Sequence, residues 1–403
     1  GEVVNPYVEG LLGNWRPGPT YTYYAQRDNV AFAEPTANNS IRTKGTLANF
    51  TPFWNFTTDG LVPDPMANDN WTLANEVSIY DQHGSILESR DALGIYSAAQ
   101  YGYNENLVVA VANNARSGEM FFDGFEDYDF QDGETSLERP FRKFVVYHPD
   151  HPNLIRRGPA HTGRYAAALD PSETMILTIR DNCSGLPDLT EPPPGEAEKG
   201  SVSPSTTLKS IAAGEPECAT YDIFGQRYRS NCCSCLPTLA PQGEQHYHIS
   251  MWVATETSLL CGASPDQISV GAAAYESSGT LLGNYDLSAA GPVIEGWQRY
   301  EVAGGIDLPS GTDRVYLTFE NLSTEDVFYF DDFRFQPFRS NMQSYVYDSA
   351  SLRLWATLDE NNYATFYEYD DEGLLVRVKR ETEAGVMTVQ ESRTVLTSNN
   401  NEE

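Results

Sequence analysis

Residues 328–382, FYFDDFRFQPFRSNMQSYVYDSASLRLWATLDENNYATFYEYDDEGLLVRVKRET, constrain the fold more than any other stretch of the chain. Tyr363, Thr365, Tyr367 and Tyr369 alternate, and Leu374, Val376 and Val378 alternate against Leu375, Arg377 and Lys379. That period of two belongs to strands with one buried and one wetter face. Between the two runs, Tyr369-Asp370-Asp371-Glu372-Gly373 supplies an aspartate that bonds the backbone ahead of it and a glycine free to take positive φ, the makings of a tight hairpin. The unit recurs at Tyr347-Asp348, with Ser351 in the glycine position, and at Tyr80-Asp81-Gln82-His83-Gly84. A hairpin-length repeat predicts a ladder of antiparallel strands.

Three other words accompany the repeat: Asn5-Pro6-Tyr7, Gly13-Asn14-Trp15-Arg16 and Arg90-Asp91-Ala92-Leu93-Gly94. With them, residues 1–117 and 339–393 resemble the Rhs/YD-repeat proteins, specifically the C-terminal region of very large surface proteins of the Bacteroidetes group. From Trp71, NWTLANEVSIYDQHGSILESRDALGIYSAAQYGYN reads as three strands with turns at His83-Gly84 and Ala92-Leu93-Gly94. Asn113, Asn114 and Ala115 end this half.

Residues 118–338 are written differently. An acidic-aromatic strand opens at Glu119–Glu126, His161-Thr162-Gly163-Arg164-Tyr165 turns into a strand, and His246–Val253 reads as a further strand. Gly296–Glu301 begins another, and Tyr329–Phe335 closes the series. This order of words resembles the galactose-binding-like jelly roll of many carbohydrate-binding modules. The expected fold is therefore all-β: a jelly-roll β-sandwich inserted in a YD-repeat-type β-hairpin scaffold. Residues 1–117 and 339–403 form the scaffold and polar tail, and 118–338 form the jelly roll with a Cys-rich excursion at 183–235.

Composition agrees with many short strands. Aromatic residues make up 12%, with 24 Tyr, and the 31 Gly and 24 Pro favour turns over helices. A net charge of −31, from 26 basic and 57 acidic residues, argues against nucleic acid or an anionic membrane as partner. It suits a secreted chain kept soluble by self-repulsion, or one that binds divalent cations. No 18-residue apolar run is present, so no membrane span is expected. Because the sequence opens on Gly1, removal of a signal peptide or of a larger upstream region is expected.

The six cysteines, Cys183, Cys218, Cys232, Cys233, Cys235 and Cys261, cluster in a loop-rich region and read as up to three disulfides of an oxidising compartment. Zinc is the rival, but Cys232, Cys233 and Cys235 lack the C-x2-C spacing usual in tetrahedral sites.

Strict alternation puts Tyr329, Asp331, Phe333 and Phe335 on the core face, where Asp331 is costly unless it meets a cation. The jelly rolls that the chain resembles hold a structural calcium between first strand, turn and last strand. Carried onto this sequence, that implies Glu126, the backbone around Gly163 and Arg164, and Asp331 or Asp332. The alternative is an ion pair of Asp331 with Arg164 or Arg299. His248 and Trp252 share one face of their strand and are the candidate ligand-binding residues, with Tyr247, Ile249, Met251 and Val253 on the other. His246 and His248 have a spacing that zinc also uses, without a third ligand in view.

No G-x-S-x-G, H-E-x-x-H, P-loop or nucleotide-binding glycine fingerprint occurs. The aspartate-rich self-cleavage motif that Rhs-type toxins carry is absent after Arg393. The expected function is thus non-enzymatic: an exported surface or extracellular protein binding glycans or a partner protein. A second reading is a structural subunit whose open ladder edges pair into a homo-oligomer, fibre or ring.

Overall fold

The computed structural model describes residues 17–23, 51–58, 60–63, 70–80, 84–103, 106–127, 130–131, 134–135, 145–147, 154–180, 208–209, 220–221, 227–228, 245–276, 278–312 and 314–392. Strands are the dominant element of these residues, beside one six-residue α-helix, Glu256–Cys261, and a 3-10 turn, Ser117–Glu119.

The hairpin repeat folds as a ten-stranded antiparallel sheet. Across it run Pro19–Tyr23, Trp71–Tyr80, Ile86–Asp91, Tyr96–Gly102, Leu107–Asn113, Asn341–Tyr347, Leu354–Leu358, Ala364–Tyr369, Leu375–Thr382 and Gly385–Glu391. The two halves meet where Leu107–Asn113 pairs with Asn341–Tyr347, with Ala112 opposite Met342 and Ala110 opposite Ser344. Small residues allow close approach here: Ala98, Ala110, Ala112, Ala356 and Ala364 are buried with Met342, Val346 and Leu358. Segments on either side of the sandwich in sequence are neighbours in one sheet.

One turn chemistry serves the ladder repeatedly. The carboxylates of Asp91, Asp359 and Asp370 accept the backbone N–H four residues on, from Ile95 at 2.9 Å, Tyr363 at 3.0 Å and Leu374 at 2.7 Å. The residue three on is left-handed each time: Gly94 at φ 78°, Asn362 at 66° and Gly373 at 85°. At Asp348 the turn is one residue longer. Ser351 donates its N–H and its hydroxyl to the Asp348 carboxylate, and Leu352, at φ 55°, takes the left-handed position. Ser351 therefore caps the aspartate rather than replacing the glycine, and Asp81 to His83 lie outside the described residues.

The sandwich has a five-stranded sheet, in the order Val145–Tyr147, Thr174–Arg180, Arg314–Asn321, Ile268–Tyr275, Leu281–Asp286. The opposing eight-stranded sheet runs Ile155–Arg157, Tyr165–Leu169, Phe328–Pro337, His246–Thr255, Trp297–Glu301, Ser288–Ile294. Phe121–Asp123 joins it beside Phe328–Pro337, and Ile306–Asp307 beside His246–Thr255. Between the sheets, Tyr247, Ile249, Met251, Val253, Phe328, Phe330, Phe333 and Phe335 pack on Met175, Val270, Ala272, Ala274, Val315, Leu317 and Phe319. Phe319 stacks on Phe330 at 4.4 Å across the two layers. Each such fully buried aromatic contributes about 1.5–3 kcal/mol.

The closing strand departs from strict alternation. Its pairing with His246–Thr255 shifts register between Ser250, opposite Arg334, and Trp252, opposite Asp331. Asp332 sits in the bulge at φ 48°. Phe328 and Phe330 therefore point inward before the bulge, Phe333 and Phe335 after it, and Asp331 points out of the core with Tyr329. This corrects the expected inward Asp331, because a bulge moves every later side chain to the other face.

Of the six cysteines only Cys261 is described. It ends the helix as an exposed free thiol whose S–H donates to the Thr257 carbonyl. Cys183, Cys218, Cys232, Cys233 and Cys235 lie outside the described residues, as does the tail from 393. Among the described residues no helix is long and apolar enough to cross a membrane.

Candidate functional site

Two places on the sandwich carry chemistry, one buried under the ladder and one open. The buried one is built by the bulge and by the turn His161–Arg164. Asp331 accepts the N–H groups of His161 at 2.8 Å and Thr162 at 3.2 Å, and Asp332 accepts the Thr162 hydroxyl at 2.9 Å. Glu126 accepts the N–H groups of Arg164 and, at 2.6 Å, Tyr165. Gly163 makes this possible: it is left-handed, at φ 74°, and a Cβ there would collide with the Glu126 carboxylate.

The structure thus gathers Glu126, Asp331, Asp332 and the backbone of Gly163 and Arg164 in one place. Burial, then the neighbouring Asp332 charge, holds the Asp331 carboxyl well above its usual range. Burial also pushes Glu126 up to about 8 against the pull of its two backbone N–H partners. Its second oxygen, Oε2, is buried without a hydrogen-bond partner. Among the described residues no set of three or more His, Cys, Asp or Glu side chains is arranged to hold a metal ion. The orphaned Glu126 oxygen, with Asp331 near it, is the feature of this cluster to which a hard cation would bring an oxygen ligand's missing partner.

Neither arginine considered in the sequence pairs with Asp331. Arg164 lies over the Trp355 ring at 4.4 Å and 3.3 Å from Asp348, on the ladder, so its side chain is no cation ligand. Arg299 reaches the Asn361 carbonyl and Glu301. His161 supplies the positive charge instead. Its Nδ1 is 2.7 Å from Asp332 and its Nε2 is 2.7 Å from Glu381, a ladder residue. Burial opposes that charge, but the Glu381 carboxylate and the hydrogen bonds to Asp332 and Glu381 outweigh it and raise the imidazole to about 9.

Trp252, expected to contact ligand, is 0% exposed. It stacks on His161 at 4.2 Å and donates its indole N–H to the Asn362 carbonyl. The ladder turn Asp359–Tyr363 plugs this face of the eight-stranded sheet: Asn362 donates to the Asp332 carbonyl, and Arg334 donates to the carbonyls of Asp359 and Leu358. The Trp252 face is a buried joint, and this corrects its reading as a concave binding surface. His248, half-buried, lies 3.6 Å from Glu301 and is held below its usual pKa, chiefly by burial.

The open place is the outer face of the five-stranded sheet. Directly opposed residues of antiparallel strands share a face. With Val270, Ala272 and Ala274 in the core, Ser269, Gly271, Ala273 and Tyr275 face outward. Opposite Gly271 stand Thr318 and Asp286, and opposite Ala273 stand Tyr316 and Asn284. Tyr275 and Tyr316 meet edge to face at 5.1 Å. The result is a floor of small side chains beside two tyrosine rings and exposed amide and carboxylate groups. Sequence reading missed it because Ala272, Ala273 and Ala274 blur the alternation that would have marked Tyr275 as outward.

No protein-family model matches the chain, and no curated protein matches it. Solved structures are similar over about half of it. A Clostridium thermocellum xylanase 10B structure holding CBM22-1 and GH10 modules with xylohexaose matches 54% of this chain and 28% of that one, at 11% identity and a TM-score of 0.27. TmCBM61 in complex with beta-1,4-galactotriose matches 53% of this chain and 98% of its own, at 13% identity and a TM-score of 0.22. The K1 cleaved adhesin domain of Lys-gingipain from Porphyromonas gingivalis W83 matches 54% and 98%, at 10% identity and a TM-score of 0.22. The all-β sandwich stands on the strand order of its two sheets.

Proposed function

We propose that this chain is a non-enzymatic, extracellular or cell-surface binding protein whose sandwich presents the outer face of its five-stranded sheet to a glycan. The observation that carries the reading is the row Tyr316, Ala273, Asn284 beside Tyr275. Sugar rings stack their C–H faces on aromatic rings and direct hydroxyls to amide and carboxylate side chains, and small residues let a chain lie flat on a sheet. On this face Asp286 and Glu320 offer carboxylates to sugar hydroxyls and set like charge against an anionic glycan, which favours a neutral one. The buried carboxylates Asp331, Asp332 and Glu381 are engaged by backbone N–H groups and His161.

A structural calcium belongs to the same reading. Glu126 and Asp331, with backbone carbonyls around Gly163, would hold it. Bound there, it would supply charge compensation for carboxylates that burial penalises.

Binding of neutral and anionic glycans, by array and then titration calorimetry, tests the function with Tyr316→Ala and Asn284→Ala. Each substitution is expected to weaken neutral-glycan binding by about tenfold or more while the chain stays folded by circular dichroism. A wild-type chain that binds no neutral glycan, or binds one equally well with both substitutions, rules this face out.

A further inference from the structure

The last strand of the ladder, Gly385–Glu391, pairs with Leu375–Thr382 on one side, and among the described residues no strand pairs with its other side. An open edge offers a row of N–H and C=O groups that only another strand matches, and natural edges are usually blunted by lysine, proline or inward charge. Gly385–Glu391 contains neither lysine nor proline. Its one ionisable residue, Glu391, is held by Arg377 at 3.6 Å. Met387 and Val389, at alternate positions, are 53% and 60% exposed.

Charge identifies the occupant. Over 375–391 the three basic residues Arg377, Lys379 and Arg380 balance Glu381, Glu383 and Glu391, so this hairpin is neutral in a chain of net charge −31. Two copies meeting at this hairpin bring no net charge of like sign against each other. Antiparallel self-pairing about Thr388 sets Met387 against Val389, Val386 against Gln390 and Gly385 against Glu391. No like charges meet in that register, and the two exposed apolar side chains cover each other. We propose that Gly385–Glu391 pairs with the same strand of a second copy, so that the ladder sheet runs on through a symmetric dimer. This goes beyond the glycan reading and does not depend on it.

Sedimentation velocity on the full chain, over a range of concentration and salt, tests it. A reversible dimer is expected that tightens with salt, because screening weakens the repulsion between the two net charges. Met387→Lys and Val389→Glu are each expected to weaken the dimer by about tenfold or more. Mixed together, the two variants are expected to recover a dimer, since lysine on one chain then faces glutamate on the other. Leu281→Lys, on the edge of the five-stranded sheet, is the control and leaves the dimer unchanged. Circular dichroism confirms that each variant folds. A monomer under all conditions, a dimer indifferent to both substitutions, or a mixture that fails to recover pairing would overturn the proposal.

Discussion

Trp252 donates its indole N–H to the Asn362 carbonyl at 2.6 Å, tying the central strand of the sandwich to a turn of the ladder. Both residues are buried, so the bond has no water to replace it. Trp252→Phe keeps most of the packing but orphans that carbonyl, and is expected to cost about 1–3 kcal/mol. Trp252→Ala also opens a cavity under His161 and is expected to cost about 3–5 kcal/mol. Urea unfolding measures both. Because Trp252 belongs to the joint, glycan binding by folded Trp252→Phe is expected to equal that of the wild type; a loss of binding at unchanged stability would return Trp252 to the ligand site.

His161 joins the same two parts electrostatically. Its imidazole is raised from 6.5 to about 9 in the folded chain, so the folded state holds the proton more tightly than the unfolded state does. The sign follows: the stabilisation is fully present below about pH 6.5 and is lost as pH rises through about 9. His161→Gln keeps hydrogen-bonding capacity without the charge. Melting curves between pH 6 and 10 are expected to show a decline in the wild type that is shallower in His161→Gln, the remainder coming from Glu126, whose folded pKa of about 8 adds its own loss as pH rises. Parallel pH profiles would show that the ring is neutral in the joint.

The fold was legible wherever one local rule decided the structure. Asp370 with Gly373 announced a hairpin, and Tyr247, Ile249, Met251 and Val253 announced a core face, because a turn aspartate, a left-handed glycine and a period of two each act on neighbours in sequence. Legibility failed where distant residues decide. The bulge at Asp332 is held by His161 and Thr162, far away in the chain, and nothing local signals that Asp331 turns outward. Glu381 reads as one acid among many until the ladder brings it to His161. The Asp359 turn escaped notice because Asn362 takes the left-handed position and Leu358, rather than tyrosine, precedes the aspartate.

Two aspartates with the same local geometry but different surroundings separate turn chemistry from joint chemistry. Asp370 accepts the Leu374 N–H in an exposed turn, whereas Asp359 accepts the N–H groups of Asn361 and Tyr363 in the turn that plugs the sandwich. Asp370→Ala is expected to cost about 0.5–1 kcal/mol, the loss of an exposed hydrogen bond. Asp359→Ala is expected to cost about 1–3 kcal/mol, since it also loosens the backbone that receives Arg334. Equal losses on urea unfolding would show that the plugged turn gives the ladder no more than an ordinary hairpin does.

Calcium is tested most directly at Glu126, whose Oε2 is buried without a partner. An ionised carboxylate left so is expensive, and the two ways to relieve it are a proton or a cation. If a cation relieves it, chelator lowers the melting temperature, and calcium at about a hundred times its dissociation constant restores about 2.7 kcal/mol. Glu126→Gln removes the charge while preserving shape and an oxygen for the Arg164 and Tyr165 N–H groups, so its melting temperature is expected to be the same with calcium and with chelator. Asp331→Asn, on the other carboxylate, is expected to reduce the calcium response without abolishing the glycan face, because Tyr316 and Asn284 lie on the opposite sheet. Identical melting curves for the wild-type chain in calcium and in chelator would leave the proton as the compensating charge and remove calcium from the site.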